Sequence, residues 1–223
     1  MADTLALIHT VPPLLEVFNR LGAEILPDVR RIHLLDEFVL ERVRQRGHLA
    51  PEDSERVAQH ARAAEEIGAN LILVTCSTIS PCVDHARKAV RVPIVKIDDA
   101  MIAKAVSLGS RLGVVATNHA TLEPTRRAIQ SQAEQMGRKV DVELVLVDHA
   151  LAALMSGDGA THDLLVSQAV QRIAPGVDAV VLAQASMARV LEAIPESERP
   201  VPILSSPHLA LEQVKLALAG HPA

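Results

Sequence analysis

Asn70-Leu71-Ile72-Leu73-Val74-Thr75-Cys76-Ser77-Thr78-Ile79-Ser80-Pro81 carries an apolar run into a small polar cluster, with a cysteine at the junction. A short unbroken apolar run marks a strand buried on both faces, as in a parallel sheet. Ser80-Pro81 predicts a helix start, with Ser as N-cap and Pro at the first helical position. Cys76 then sits at the carboxyl end of a strand and close to a helix N-terminus. Ligands bind at such strand ends in open α/β sheets, and a helix N-terminus favours thiolate over thiol.

Working outward, period and composition predict further strands at 4–9, 31–35, 92–97, 111–116, 140–147, 178–183 and 201–204. Helices are expected at 14–21, 38–46, 51–67, 81–90, 101–108, 122–136, 150–155, 162–173, 187–194 and 209–219. Gly68 and Gly137 read as helix stops. Strands alternating with helices imply an α/β fold with parallel sheets and right-handed crossovers.

An internal repeat divides this pattern. Leu5-Ala-Leu-Ile-His-Thr10 lies over Leu112-Gly-Val-Val-Ala-Thr117, an offset of 112 − 5 = 107. The stretch from Gly68 to Cys76 lies over that from Gly176 to Gln184, an offset of 176 − 68 = 108. Val92-Pro-Ile-Val95 lies over Val201-Pro-Ile-Leu204, an offset of 201 − 92 = 109. Asp36 is matched with Asp148. Two pseudo-symmetric α/β lobes are expected, each with a mainly four-stranded parallel sheet. The first comprises 1–98 with a returning C-terminal helix at 207–223, the second 99–206. The loops at Cys76 and Gln184 are expected across one cleft, which would be the active site.

The bulk properties narrow the function. With 223 residues, 49% of them hydrophobic, the chain can form one large core or two small ones. Net charge is −5 and no Lys or Arg block forms a patch, which argues against nucleic acid and anionic membrane as partners. The longest apolar runs are strand length, far short of a membrane span. Met1-Ala2-Asp3 leads straight into a strand-like run without the features of a signal peptide, so a cytoplasmic location is expected. Cys76 and Cys82 make no disulfide framework and match no common zinc spacing. His119, His149 and His162 share no helix face, so no metal site is expected. The only aromatic residues are Phe18 and Phe38, leaving little on which a base or flavin could stack.

Several stretches together resemble the aspartate/glutamate/hydantoin racemase superfamily: His9-Thr10, Leu35-Asp36, Thr75-Cys76-Ser77-Thr78, Ala116-Thr117-Asn118 and Ala183-Gln184-Ala185-Ser186-Met187. The Cys-[Asn/Ser]-Thr loop after the third strand carries most of this resemblance. It implies two pseudo-symmetric lobes and a cofactor-free active site between them. In that family two cysteines act from opposite faces of the substrate α-carbon. Here the repeat puts Gln184 at the second position, and glutamine cannot transfer a proton at neutral pH. Single-thiol chemistry also occurs in the family, in a malonate decarboxylase (there with the thiol on the second loop) and in maleate isomerases.

The expected catalytic residues are therefore Cys76 as thiol or thiolate, Gln184 as an amide donor, and His208 as a proton donor. Ser77 and Thr78 are expected to bind a substrate carboxylate through N–H and hydroxyl groups. Thr10, Thr117, Asn118 and Ser186 are further substrate-binding candidates at equivalent strand ends. His9 is placed with the substrate-binding residues and also considered as the proton donor, because histidine titrates near neutrality. Cys82 is expected to pack in the core. The expected substrate is a small carboxylate, an amino acid or a derivative. No cofactor is expected, and exposed aliphatic helix faces suggest a homo-oligomer. A non-catalytic carboxylate-binding protein is the alternative outside enzyme chemistry.

Overall fold

The computed structural model describes residues 2–195, 197 and 199–220. Met1, Glu196, Glu198 and residues 221–223 lie outside these, including the parts of the two expected lobes that fall on them. The chain forms two compact units. One runs to Asp99 and resumes at Pro207; the other is Ala100–Ser206.

The first unit holds four parallel strands, β1 (Thr4–His9), β2 (Arg30–Leu35), β3 (Leu71–Val74) and β4 (Ile94–Lys96), in the order β2-β1-β3-β4. Its helices are α1 (Pro13–Ile25), α2 (Glu37–Arg46), α3 (Pro51–Glu66), the one-turn α4 (Val83–Ala86) and α10 (Ser206–Ala219). β1 and β3 are central and buried along their length, as their unbroken apolar runs require. Ala6, Ile8, Ile72 and Val74 share a core with Val57, Ala58, Ala61 and Ala64 of α3. Period two in the strands meets a small-residue face of the helix, which lets the two backbones approach closely. Pro51 opens α3, and the Asp53 carboxylate accepts the Ala50 N–H (2.8 Å). Gly68, at φ +81°, provides the left-handed turn after it.

The second unit repeats the plan. β5 (Arg111–Ala116), β6 (Asp141–Leu146), β7 (Ala179–Leu182) and β8 (Ile203–Ser205) form a parallel sheet in the order β6-β5-β7-β8. Its helices are α5 (Asp99–Leu108), α6 (His119–Gln135), α7 (Ala150–Met155), α8 (Gly159–Ile173) and α9 (Ala188–Ala193). Val166, Ala169, Val170 and Ile173 of α8 pack with Val115, Val180 and Leu182.

Strand register reproduces the repeat at the offsets seen in the sequence. Leu5 pairs with Leu71 and Leu112 with Ala179; Ile72 pairs with Ile94 and Val180 with Ile203. One expectation shifts by a residue. The Asp36 N–H donates to His9 O (2.9 Å) and the Val147 N–H donates to Ala116 O (2.8 Å), so Asp36 corresponds to Val147, not to Asp148. Asp148 reaches no equivalent place because β6 runs at an offset of 142 − 31 = 111 against β2.

A second correction concerns the thiol loop. The expected helix over 81–90 is instead a 3-10 turn over Ser77–Cys82, followed by the single turn of α4. Pro81 lies inside the turn, Cys76 is its N-cap residue, and the Ser80 hydroxyl donates to Asp98. Among the described residues no helix is long and apolar enough to cross a membrane.

Asp36 shows how side chains tie these elements. It caps α2 by accepting the Phe38 N–H (3.2 Å), and it also accepts from Arg56 and from His60 (2.6 Å) on α3. Burial alone would raise its pKa, but the hydrogen bonds from Arg56 and His60 outweigh that and hold the carboxyl below its usual range. The depressed pKa means a stabilisation present above the unfolded carboxyl value and lost as pH falls through the folded one. Asp36→Ala is expected to cost about 2 kcal/mol near neutral pH, from the lost cap and charged bonds. Urea unfolding at pH 7 and pH 3 checks this, since the difference between variant and parent should shrink at the lower pH.

Candidate active site

The carboxyl ends of β1 and β3 lie side by side. Thr75 N–H donates to Ile8 O (3.0 Å), so the pairing continues past the last formal strand residue. Cys76 follows with extended backbone (φ −127°, ψ 114°), and its carbonyl accepts the Ile79 N–H (3.2 Å) as the 3-10 turn begins. The thiol is free and 8% exposed. Cys82, at the end of the same turn, is 1% exposed, and burial pushes its pKa up, as expected of a packing residue.

Side chains hold this loop on both sides. On the β1 side, Thr75 Oγ1 donates to Ile8 O (3.0 Å) and is 2.8 Å from His9 Nδ1. His9 Nε2 lies 2.8 Å from His33 Nδ1. His33 Nε2 closes the chain 3.0 Å from Asn19 Oδ1, an amide oxygen that accepts. On the β4 side, Ser80 Oγ donates to Asp98 Oδ1 (2.9 Å). Asp98 is 5% exposed, and burial pushes its pKa up to about 6. Keeping it ionised at neutral pH costs on the order of 3 kcal/mol relative to a free carboxyl.

His9 is fully buried, stacked against His33 and tilted against Phe18, with both ring nitrogens engaged by Thr75 and His33. Burial, and then the nearby His33, lower its pKa to about 3, so the ring stays neutral near pH 7. Thr10 and Ser77 are both buried, and among the described residues neither Thr10 Oγ1 nor Ser77 Oγ has a hydrogen-bond partner. Thr78 is buried in the same turn.

In the second unit Gln184 takes the place of Cys76. Its backbone is extended in the same way (φ −132°, ψ 138°), and its carbonyl accepts the Met187 N–H (3.0 Å). Gln184 Oε1 accepts from Thr117 N–H (2.5 Å) and Thr117 Oγ1 (3.2 Å), which leaves its NH2 as the outward donor. Asn118 caps α6 by accepting the Ala120 N–H (3.1 Å), while its own Nδ2 is buried and unpartnered. Ser186 is partly buried in the short 3-10 turn after Gln184. His208 is exposed in the first turn of α10. Sequence reasoning missed Asp98 and Thr75. Asp98 ends an apolar strand as Asp36 does, which was the available signal. Among the described residues no group of three acidic, His or Cys side chains could hold a metal ion.

The buried histidine predicts acid sensitivity. Its folded pKa lies below the unfolded value of 6.5, so the stability it contributes is present above pH 6.5 and is lost as pH falls towards about 3. His9→Ala is expected to lose about 3 kcal/mol at pH 7, from the cavity and the stranded Thr75 and His33 groups. Denaturant midpoints across that pH range read both effects.

A family model for Asp/Glu/Hydantoin racemase matches residues 15–214. No curated sequence matches the chain. Among solved structures, the chain is similar to a glutamate racemase from Francisella tularensis in complex with D-glutamate, at 15% identity and a TM-score of 0.75, covering 98% of this chain and 82% of that one. An allantoin racemase from Klebsiella pneumoniae aligns at 18% identity and a TM-score of 0.72, over 97% and 88% of the two chains. An aspartate racemase from Picrophilus torridus aligns at 14% identity and a TM-score of 0.73, over 97% and 94%. The structural likeness shows the fold, and the family model spans most of the sequence: the chain belongs to the Asp/Glu/hydantoin racemase family, a family of isomerases.

Proposed function

We propose that the protein is a cofactor-independent racemase-type isomerase acting at or near the α-carbon of a small carboxylate, an amino acid or a derivative, with Cys76 as the reacting group. The observation that carries this reading is the end of β3. Cys76 closes a fully buried central strand. Two buried hydroxyls without a partner among the described residues flank it: Thr10, two residues beyond the Ile8–Val74 pair, and Ser77, next in sequence. Buried hydroxyls normally find partners, and carboxylate oxygens suit them. The amides that open the 3-10 turn add donors of the same sense.

In this reading the Cys76 thiolate removes the α-proton and becomes S–H. The C–H electron pair moves into the carboxylate as an enediolate, whose charge the Thr10 and Ser77 hydroxyls and the turn amides stabilise. Return of a proton to carbon completes exchange, and return to the opposite face inverts the centre. Thr117, Asn118, Ser186 and the Gln184 amide are the candidate polar contacts from the second unit. His208, exposed in the first turn of α10, is the candidate for a second proton donor.

Gln184 favours a second reading. Its oxygen is held by Thr117 and its NH2 can donate a hydrogen bond but not release a proton. A reaction needing one thiol fits this better than one needing two. In a decarboxylation, the Cα–carboxyl bond breaks, CO2 leaves, and Cys76 S–H supplies the proton to Cα. In a cis–trans isomerisation, the thiolate adds to a double bond and is eliminated after rotation.

The deciding experiment incubates the protein in deuterated water with aspartate, glutamate, hydantoins and allantoin, following loss of the α-hydrogen by NMR and release of CO2. Small unsaturated diacids test double-bond isomerisation. Cys76→Ala is expected to lower whichever turnover appears by about 10³-fold. Full turnover in that variant would remove Cys76 from the mechanism. No turnover on any panel, with undiminished carboxylate binding by Cys76→Ala, would favour a binding protein.

A further inference from the structure

We propose that Asp98 is a positioning residue for Cys76: through the hydrogen bond it accepts from Ser80, it ties the thiol-bearing turn to the end of β4. The inference rests on Cys76 being the reacting thiol and deepens that reading.

The two units supply an internal comparison. Their loops share one backbone course. Thr75 N–H bonds to Ile8 O at 3.0 Å, and the equivalent Ala183 N–H bonds to Val115 O at 2.9 Å. Ile79 N–H bonds to Cys76 O at 3.2 Å, and Met187 N–H bonds to Gln184 O at 3.0 Å. The side chains that brace the first loop have no counterpart in the second. Counted in the strand registers, Thr75 becomes Ala183, His9 becomes Ala116, Ser80 becomes Ala188 and Asp98 becomes Pro207. The turn thus forms in the second unit without any of these polar groups. Bracing is not what makes the backbone turn.

What differs is the residue that each loop presents. Gln184 is held by its own side chain, through the two bonds to its Oε1. A thiol is a weak hydrogen-bonding group and cannot anchor itself in that way. The position of its sulfur depends on the backbone around it. That backbone is fixed before Cys76 by Thr75 against β1 and after it by Ser80 against β4, the two neighbours of β3. Asp98 is the costly member, a carboxyl buried beside Asp99; the Ser80 hydrogen bond, a backbone N–H and the charge of Lys96 favour its ionised form, and the Lys96 ammonium is itself paired with Asp84 (3.0 Å). Burial pushes its pKa up to about 6, so at pH 7.5 it is ionised and accepts the Ser80 proton strongly.

The test is alkylation of Cys76 by iodoacetamide in the intact protein at pH 7.5, read by peptide mass spectrometry alongside the thermal midpoint. Ser80→Ala and Asp98→Ala are each expected to speed Cys76 alkylation about tenfold, as local opening of a turn that has lost one charge-assisted bond. The double variant should be no faster than the faster single one, because both act through the same bond. Asp98→Asn keeps an acceptor and is expected to stay within about twofold of the parent. Wild-type rates in both single alanine variants, multiplying effects in the double, or Asp98→Asn as fast as Asp98→Ala would each overturn the proposal. If Asp98→Ala does not fold, Ser80→Ala against Ser80→Thr makes the same comparison of a lost and a kept hydroxyl. Turnover by Cys76→Ala fails or holds independently of these rates, so an error in the catalytic reading is distinguishable from an error in the bracing.

Discussion

Parallel pairing of β1 with β3, and of β5 with β7, is the constraint on which the rest depends. In a parallel sheet all strands end at one edge, so the residues that follow them converge there. Both central strands of each unit are buried, and the chain must leave the apolar interior through polar groups whose hydrogen bonds are satisfied. Thr75, His9 and Ser80 meet that need in the first unit, Thr117 and Gln184 in the second. Among the described residues, Thr10 Oγ1, Ser77 Oγ and Asn118 Nδ2 find no partner, and all three lie at these strand ends. The same edge that solves a folding problem leaves polar groups unpaired among the described residues.

The two units answer that problem differently on one backbone. The first presents a thiol and surrounds it with neutral and ionised hydrogen-bonding groups on other strands. The second presents an amide that turns back on its own neighbour. A buried neutral histidine and a buried carboxyl both occur where the thiol does. That asymmetry is difficult to explain by packing, since small apolar residues fill the equivalent positions in the second unit without disturbing the turn.

Much of this was legible in the residues. Unbroken apolar runs marked β3 and β7, alternation with helices implied parallel sheets, and Gly68 stopped α3. Offsets of 107, 108 and 109 anticipated the strand register of both units. The failures have local causes. Ser80-Pro81 carries a good capping signal, but the chain already turns at Ser77, so both residues fall inside a 3-10 turn, and the Ser80 hydroxyl donates to Asp98, 18 residues away in sequence. Asp36 and Asp148 look alike in sequence, yet the longer offset of β6 moves Val147 into the place of Asp36. His9 reads as a strand-end histidine open to ligand. Its fate depended on Thr75 and His33, which only strand order could bring beside it.

The sequence by itself determined the α/β class, the two-fold repeat, the position of Cys76 at a strand end and the position of Gln184 at the equivalent strand end. These follow from periodicity and spacing, which are local in the chain. Tertiary structure alone decided which polar groups are spent on one another and which are left over. Hydrogen bonds from Thr75 to β1, from Ser80 to Asp98 and from Thr117 to Gln184 join residues 18 to 67 positions apart. Whether a buried hydroxyl, imidazole or carboxyl serves a ligand or a neighbour depends on the partner across the sheet, and that partner is chosen by strand order.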